Sequence, residues 1–506
     1  MKINFKEILL ALLTGILTGL SFPKFDLSFL AWISLIPLLF VLSGKKPKSS
    51  ILLGLIAGFS HYALILSWIP YVPAHYGNLS FGLSLLVYLL LVLFLALSWA
   101  LFSLVFSKLY RSYPKLSFLL VPFVWISMEY ILTYVLTGFP WCLLGYSQFK
   151  NILFIQLASV TGIYGLSFFL ALFQSMFVLS MRSKKRYPFF STLGIILLLH
   201  LAGFISLKKV TPAENTFTAS VIQGNVSSDI YWDRISTQEI LELFNRHIEL
   251  SQRSYAEGAG LIIWPEFSVP LCFSCSEELY EYFKQRLFKF VTDTNCTLLL
   301  GTNEKKTSQE KTHYFNTALG LSPDLSITQY HKMHLVPFGE YTPYQKVFSF
   351  IEKVTHAIGD ITPGNQYSLH RYKGLKFGSP ICYEIIFPNQ VRKFAKKGAH
   401  FLVTITNDGW YGKSSAPYQH FAMAVLRAVE NRRFVLRAAT TGISGIIDPY
   451  GRILSQSELM TKTHLLGKIT PSQKMTPYTR FGDVLPLGSL TLALVFLILA
   501  MFKRKK

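Results

Sequence analysis

The chain has 506 residues, of which 51% are hydrophobic and only 15% are charged, and its mean hydropathy is +0.37. This composition excludes an ordinary soluble protein, and the length predicts more than one folding unit. The net charge of +22 invites a nucleic-acid-binding interpretation, but the basic residues occur in short clusters between apolar runs, as membrane topology signals do. We therefore expect a membrane protein that carries one soluble domain and binds no nucleic acid.

Eight apolar segments are predicted to span the membrane, because a helix needs roughly 20 residues to cross the hydrocarbon layer. They cover approximately residues 7–22, 27–43, 51–70, 80–107, 117–137, 153–181, 189–206 and 484–502. This pattern predicts a seven-helix bundle over residues 1–206, a soluble domain over 207–483, and an eighth helix with a basic tail over 484–506. Glu129 is a charge inside the fifth segment, which indicates a polar cavity or a partner within the bundle.

Basic clusters predict the orientation of these segments. They follow every even-numbered segment: Lys45, Lys46 and Lys48; Lys108, Arg111 and Lys115; Arg182, Lys184, Lys185 and Arg186; and Lys503–Lys506. Together with Lys2 and Lys6, all of them lie on one side, which the positive-inside rule makes cytoplasmic. Both termini are therefore predicted inside, and residues 207–483 outside the cytoplasmic membrane, where cytosolic ATP is absent.

The five cysteines do not indicate a disulfide framework or a cofactor site. They are Cys142, Cys272, Cys275, Cys296 and Cys382, an odd and widely scattered set. Cys272 and Cys275 have C-x-x-C spacing, but without a second pair or neighbouring histidines a local disulfide or two ordinary thiols is the better interpretation than a metal site. We expect no metal and no other cofactor.

Strand and helix patterns alternate through the soluble domain and predict an α/β sandwich. Strands are predicted at 216–223, 261–264, 297–301, 375–381 and 401–406, and helices after the capping box at Ser236 and near 277–293, 389–397 and 417–432. Glu266, Cys382 and the pair Asn407-Asp408 directly follow three of these strands. Because ligand sites collect beyond the carboxyl ends of strands, these side chains are expected to share one cleft.

Glu266, Lys332 and Cys382 form a self-consistent set for acyl transfer. A thiol attacks as its thiolate, so it needs a base such as Glu266 or a cation such as Lys332. Lys332 and a backbone N–H after the cysteine would also stabilise an oxyanion. Taken singly, each residue has an ordinary explanation. Cys382 could be a small buried apolar residue, Glu266 a helix cap, and Lys332 the solvated end of a strand. His331 and His334 keep a Cys–His arrangement open as well.

Three motifs resemble the catalytic motifs of the nitrilase, or carbon-nitrogen hydrolase, superfamily in order and context. They are Trp264-Pro265-Glu266, His331-Lys332 with Pro337-Phe338-Gly339-Glu340, and Ile381-Cys382-Tyr383-Glu384. With the apolar segments, the chain resembles the apolipoprotein N-acyltransferase family, as do Phe139-Pro140-Trp141, Gly145-Tyr146-Ser147-Gln148 and Thr406-Asn407-Asp408-Gly409-Trp410. It departs from that family at Leu132, where an arginine is expected three residues after Glu129, so that lipid headgroup contacts there are in doubt.

The resemblance implies an αββα sandwich in which Glu266 is the general base, Lys332 the electrostatic stabiliser and Cys382 the acyl-carrying nucleophile. It also implies supporting roles for Trp232, Glu340, Tyr383 and Glu384, each of which has ordinary packing or surface polarity as an alternative. The implied reaction moves an acyl chain from a membrane phospholipid, through a cysteine thioester, to the α-amine of a diacylglyceryl-cysteine lipoprotein. The implied location is the bacterial cytoplasmic membrane, with the catalytic domain on the periplasmic side, and we expect a monomer.

Other classes of protein remain open on sequence grounds. A membrane-tethered amidase would use the same three residues, but a tether needs one helix. A transporter with an outer domain predicts more mid-span charges and a repeat between halves, and a catalytically inactive binding protein would not need the intact set. Residues 343–358 place Val347, Ile351, Val354 and Ile358 at helical spacing, which predicts either a lid in the lipid interface or a helix packed on its own domain.

Overall fold

The computed structural model describes residues 3–77, 79–208, 215–226, 236–268, 272–274, 278–308, 311–343 and 361–503. The chain divides into two compact units. The first comprises Met1–Pro70, Ser80–Val210 and Phe481–Lys506, and the second comprises Tyr71–Leu79 and Thr211–Arg480. Tyr71–Leu79 belongs with the second unit although it lies in sequence between two apolar segments.

The first unit is built from helices. Its bounds are α1 Phe5–Leu20, α2 Ile36–Leu42, α3 Pro47–Ile65, α5 Phe81–Ser112, α6 Leu116–Tyr134, α7 Ala158–Thr161, α8 Ile163–Ser183, α9 Tyr187–Lys208 and α15 Val484–Lys503, while α4 Tyr71–His75 lies in the second unit. Short 3₁₀ turns occur at Ser28–Trp32, Leu144–Gln148 and Phe154–Leu157. Within the described residues, α3, α5, α6, α8, α9 and α15 are long and apolar enough to cross a membrane.

The prediction of eight membrane-spanning helices is not confirmed, because the first two segments lack the required length. Helix α1 has 16 residues, which makes it about 24 Å long against a hydrocarbon layer of about 30 Å. The second segment is a 3₁₀ turn at Ser28–Trp32 followed by the 7-residue α2. Gln174 accepts from the Leu35 N–H and donates to the Ala31 carbonyl, so its amide satisfies backbone groups at the break.

Glu129 lies buried in the bundle and has polar partners there, as the sequence indicated. One carboxylate oxygen accepts from the Trp125 indole N–H at 3.0 Å and from the Leu144 backbone N–H at 2.8 Å. Glu129 also lines a cavity together with His61 and Leu132. The Trp125 contact lies within α6, and the Leu144 contact joins α6 to the turn at Leu144–Gln148.

The described residues of the second unit form two six-stranded sheets. Its strands are β1 Phe217–Gln223, β2 Leu261–Ile263, β3 Thr297–Ser308, β4 Lys311–Leu321, β5 Ile327–His331, β6 His370–Tyr372, β7 Leu375–Gly378, β8 Phe401–Thr406, β9 Val435–Ala439, β10 Gly445–Ile447, β11 Ile453–Gln456 and β12 Thr463–Ile469. The sheet orders are β12-β1-β2-β3-β4-β5 and β11-β10-β9-β8-β7-β6. Its longer helices are α10 Thr237–Ala256, α11 Glu278–Thr294, α12 Pro388–Lys396 and α13 Ala416–Asn431, and α14 Pro477–Phe481 is short.

The sheets lie face to face and the helices cover their outer faces, which gives the αββα sandwich. Phe217 of β1 contacts Tyr372 and Phe401 of the opposite sheet, with ring centroids 4.8 and 5.2 Å apart. On the outer face of the first sheet, Phe244 of α10 and Phe283 of α11 join one apolar cluster with the strands. The nitrilase-like α/β fold is therefore confirmed, and so is the capping box, in which Ser236 accepts from the Glu239 N–H at 3.2 Å.

Candidate active site

Glu266, Lys332 and Glu340 form a buried charged cluster at the carboxyl ends of strands in the first sheet. The Lys332 ammonium lies 2.8 Å from Glu340 Oε1 and 3.4 Å from Glu266 Oε1. Burial opposes the charge on Lys332, but the carboxylates of Glu340 and Glu266 outweigh burial and raise the pKa of the ammonium well above its usual value. Lys332 is therefore a fixed cation.

The backbone approaches closely beside Glu266. A Cβ on Gly301 of β3 would lie 2.6 Å from the Glu266 Cα, which only a glycine avoids. The Gly301 N–H donates to the Pro265 carbonyl at 3.2 Å, and the Asn407 N–H donates to Glu266 Oε2 at 2.8 Å. Glu266 thus bridges the ends of both sheets.

Asn316 of β4 is a site residue that the sequence analysis missed. Its amide nitrogen donates to Glu266 Oε1 at 2.8 Å and to Glu340 Oε1 at 2.9 Å, so it holds the two carboxylates together. Glu340 is fixed further by the Val336 N–H, which donates to its second oxygen at 2.8 Å. The polar sequence around Asn316 carries no motif, so only the strand pairing reveals its place.

Cys382 lies at a sharp turn beyond β7, beside the carboxyl end of β8. Its φ of +49° is unusual for a residue with a side chain, as in the strained turns that present nucleophiles. Burial raises the pKa of the Cys382 thiol, and the charge of Glu266 raises it further, while Lys332 lowers it. The net shift is upward, because burial and Glu266 outweigh the cation. The resting sulfur is therefore a thiol that needs a base.

Glu384 holds the turn in place through many donors. It accepts hydrogen bonds from the Tyr330 hydroxyl, the N–H groups of Met333, His334 and Ile381, and the Gln390 amide, at 2.6 to 3.0 Å. Burial raises the pKa of this carboxyl, against the donors that lower it. Because Met333 follows Lys332 and Ile381 precedes Cys382, Glu384 ties the segments that carry both side chains.

A second buried charged cluster lies behind the Cys382 turn and was not predicted as a cluster. Asp408 Oδ2 accepts from the Arg437 guanidinium at 2.6 Å, and Asp408 Oδ1 lies 2.9 Å from His420 Nδ1. The other ring nitrogen of His420 lies 3.2 Å from the Cys382 carbonyl. Burial opposes the charge on Asp408, but Arg437 and His420 outweigh it and hold the pKa of Asp408 below its usual range.

The structure describes some of the remaining predicted residues and leaves others outside its described ranges. Tyr383 is buried, and its ring lies 5.2 Å from Phe387 and 5.6 Å from His334. Trp232, Cys275 and the predicted lid segment from residue 344 lie outside the described residues. Cys272 is disulfide-bonded, and Cys142, Cys296 and Cys382 are free thiols.

The described part of the site holds the components of nucleophilic acyl transfer. A carboxylate and an ammonium act electrostatically on one thiol, and the thiol follows a strained turn. Such a set carries out covalent catalysis on an ester or amide carbonyl, where the ammonium stabilises the developing oxyanion. The set itself does not distinguish water from an amine as the acceptor.

Two family descriptions match the chain, one for each part. The carbon-nitrogen hydrolase description matches residues 218–474, which cover the described sandwich. The description of the apolipoprotein N-acyltransferase N-terminal domain matches residues 14–176, within the helical unit. A nitrilase-superfamily protein of Saccharomyces cerevisiae resembles the chain at 19% identity and a TM-score of 0.39, over 51% of this chain and 90% of that one.

Full-length relatives extend this agreement over both units. The apolipoprotein N-acyltransferase of Geobacter metallireducens is 37% identical over 99% of this chain and 96% of its own length. That of Azotobacter vinelandii is 33% identical over 96% of this chain and 93% of its own length. The chain is thus an integral-membrane enzyme of the acyltransferase and hydrolase type, and it belongs to the apolipoprotein N-acyltransferase family.

Proposed function

We propose that the protein transfers a fatty acyl chain from a membrane phospholipid to the N-terminal α-amine of a diacylglyceryl-cysteine lipoprotein, through a thioester on Cys382. The observation that carries the proposal is the buried Glu266–Lys332–Glu340 cluster, of which Glu266 and Lys332 act on the Cys382 thiol, in a chain with six candidate spans among its described residues. Relatives of nearly the same length carry the name of this activity.

Glu266 serves as the general base in the first half-reaction. It takes the thiol proton as the Cys382 sulfur attacks the ester carbonyl, and it returns that proton to the leaving lysophospholipid oxygen. Lys332 cannot compete for this proton because its raised pKa keeps it an ammonium. The ammonium lies closer to Glu340 than to Glu266, at 2.8 Å against 3.4 Å, so Glu340 is its nearer partner.

The second half-reaction uses the same groups in the same order. The lipoprotein α-amine attacks the thioester carbonyl, Glu266 accepts a proton from the nitrogen, and the Cys382 sulfur leaves and regains its proton. Lys332 stabilises the oxyanion in both steps. The phospholipid ester supplies the acyl group and the energy of the thioester, so no nucleotide takes part.

The helical unit supports lipids as both substrates. A soluble amidase needs no membrane-spanning helix, and a tethered one needs a single helix, whereas six helices in the described part of this chain are long and apolar enough to span. A phospholipid and a diacylated lipoprotein both lie in the bilayer, so an enzyme embedded there meets them at high local concentration.

We also propose that the catalytic unit faces the periplasm and that both chain ends face the cytoplasm. The six candidate spans leave the basic clusters at Lys45–Lys48, Lys108–Lys115 and Arg182–Arg186 on one side. Removing the first two segments from the count removes an even number of crossings, so the side assigned to every later loop is unchanged. The proposal therefore does not depend on whether α1 and α2 cross.

The decisive experiment is intact-protein mass spectrometry of the detergent-purified protein after incubation with phosphatidylethanolamine vesicles. The wild type is expected to gain the mass of one acyl chain, and hydroxylamine is expected to remove it, as it does a thioester. A synthetic diacylglyceryl-cysteine peptide is expected to discharge the adduct and to become N-acylated.

Two variants sharpen the result. Cys382→Ala should form no adduct, and Cys296→Ala, which removes another buried thiol, should behave as the wild type does. An adduct that water discharges as fast as the peptide would favour an amidase or a phospholipase. Absence of any adduct in the wild type would overturn the thioester route.

A further inference from the structure

The Thr406 hydroxyl lies between the Cys382 sulfur and the Asp408 carboxylate. Thr406 Oγ1 is 3.2 Å from Cys382 Sγ and 3.0 Å from Asp408 Oδ1, and all three side chains are buried. A hydroxyl carries one hydrogen, so it donates to one of these acceptors at a time. Thr406 is the last residue of β8, and its side chain therefore has a fixed position relative to the sulfur.

Asp408 does not depend on Thr406 for its hydrogen bonds. Arg437 donates to its Oδ2, and His420 lies at its Oδ1. Arg437 is on β9, beside β8 in the sheet, and His420 is on α13, so two separate elements hold the carboxylate. The Thr406 hydrogen is thus available to the sulfur whenever the sulfur is the better acceptor.

We infer that Thr406 is a further catalytic residue, which donates a hydrogen bond to the Cys382 thiolate and turns to Asp408 when the sulfur becomes acylated, with Asp408, His420 and Arg437 as positioning residues. The inference rests on the proposed role of Cys382 as nucleophile. It assigns to Thr406 the hydrogen bond to the sulfur, whereas the hydrogen bonds of Lys332 are to Glu340 and Glu266 and its effect on the sulfur is electrostatic.

The hydroxyl would follow the charge on sulfur through each half-reaction. A thiolate is a strong acceptor, whereas a thioester sulfur is a weak one, so the preferred acceptor changes when the carbon–sulfur bond forms. When the second half-reaction breaks that bond, the thiolate returns and the hydroxyl turns back. Within the described residues, the charged and titratable groups that act on the sulfur are Glu266, Lys332, Asp408 and Tyr411, with His420 at the Cys382 carbonyl.

The test measures the thiol itself and needs neither acyl donor nor acceptor. The full-length protein in detergent is alkylated with iodoacetamide from pH 6 to pH 10, and the Cys382 adduct is quantified by mass spectrometry. Thr406→Val keeps the shape of the side chain and removes the hydroxyl. It is expected to lower the alkylation rate at pH 7 by about tenfold and to move the profile toward higher pH. Thr406→Ser, which keeps the hydroxyl, is expected to restore the alkylation rate at pH 7 and the position of the pH profile.

Thr404 provides a matched control on the same strand. It lies two residues earlier on the same face of β8, it is buried, and its hydroxyl has no hydrogen-bond partner within the described residues. Thr404→Val makes the same chemical change at the same depth, and its profile is expected to match the wild type. Equal thermal melting of all the variants would show that each of them folds.

Two results would overturn the inference. One is a Thr406→Val profile that superimposes on the wild type, and the other is an equal shift in Thr404→Val, which would indicate a general effect on the strand. A shift confined to Thr406→Val, in a protein that forms the acyl adduct on Cys382 but passes no acyl chain to the peptide, would retain the inference about Thr406 and remove the acyltransferase proposal. Failure of the inference about Thr406 can therefore be distinguished from failure of the proposed acyltransferase function.

Discussion

The Asn316 side chain links the two carboxylates of the site. Its amide nitrogen has two hydrogens, and both are used, one for Glu266 and one for Glu340. Lys332 lies between the same two oxygens. Two carboxylates therefore share one ammonium and one amide, and these donors offset part of the cost of burying them.

Replacing Asn316 by Asp is expected to abolish this arrangement. The new side chain has almost the same shape, but it brings an acceptor and a third negative charge where two donors are needed. Repulsion among buried charges costs several kcal/mol, so the rate of acyl-adduct formation should fall by at least about 100-fold. Intact-protein mass spectrometry at early times measures this rate.

Asn245→Asp is the control for that change. Asn245 is exposed on α10, where its side-chain oxygen accepts from Arg286 at 2.6 Å, so an aspartate keeps the contact. Its adduct rate should equal that of the wild type. A wild-type rate in Asn316→Asp would show that Asn316 does not organise the carboxylates, whatever the roles of Glu266 and Lys332.

Local patterns predicted single elements better than they predicted pairings between strands. Strand β8 was predicted with its observed bounds, because a buried run of six apolar and threonine residues ends at a polar turn. Strand β3 was predicted to end at Gly301 but continues to Ser308, since its polar second half is held by pairing with β4. Asn316 lies in that pairing, so the sequence did not reveal it.

The second predicted membrane segment shows the same limit in the bundle. Residues 27–43 form an apolar run of the right length, yet the helix breaks before Ile36. Amides from distant parts of the chain, Gln148 and Gln174, donate to the Ser28 and Ala31 carbonyls at 2.8 and 3.0 Å. An unbroken helix would use those backbone groups internally, and no local pattern shows that other side chains will take them.

The Asp408–Arg437 pair joins the end of β8 to β9, and its contribution to stability should depend on pH. Arg437 and His420 hold the pKa of Asp408 below its usual value of about 3.9. A lowered pKa means that ionised Asp408 contributes stability above the usual value, and that this contribution is lost as the pH falls toward the folded-state value. Removing the charge of Asp408 should therefore lower the free energy of unfolding at neutral pH and lower it less in acid.

Asp408→Asn is therefore expected to lower the free energy of unfolding by about 3–5 kcal/mol between pH 7 and pH 5, because Arg437 loses its buried partner. Below about pH 4 the free energies of unfolding of the variant and the wild type should become more similar. Urea-induced unfolding in detergent, followed by tryptophan fluorescence, measures both. The control is Asp293→Asn, at an exposed position on α11, and its free energy of unfolding should stay near that of the wild type at every pH. Equal stability of Asp408→Asn and the wild type at pH 7 would contradict this prediction.

At the scale of the whole molecule, the charge distribution and the count of helices together bear on which side of the membrane the chemistry takes place. Each candidate span from α3 to α15 changes side once, and the basic clusters recur at every second end. Positive charges near short loops stay in the cytoplasm, so the alternation predicts that the second unit is exported. The proposed phospholipid donor agrees with this location, because the bilayer itself supplies its ester.

Labelling of single introduced cysteines in intact cells tests this orientation. Arg253 is 60% exposed on α10, and Lys185 is exposed between α8 and α9. With a membrane-impermeant maleimide that reaches the periplasm, Arg253→Cys should be labelled in intact cells and Lys185→Cys only after the cells are opened. The native thiols Cys142, Cys296 and Cys382 are buried, so the unmodified chain gives the background. The opposite labelling order would place the catalytic unit in the cytoplasm, where the lipoprotein α-amine is not exposed, and would refute the proposed acceptor while leaving the chemistry of Cys382 intact.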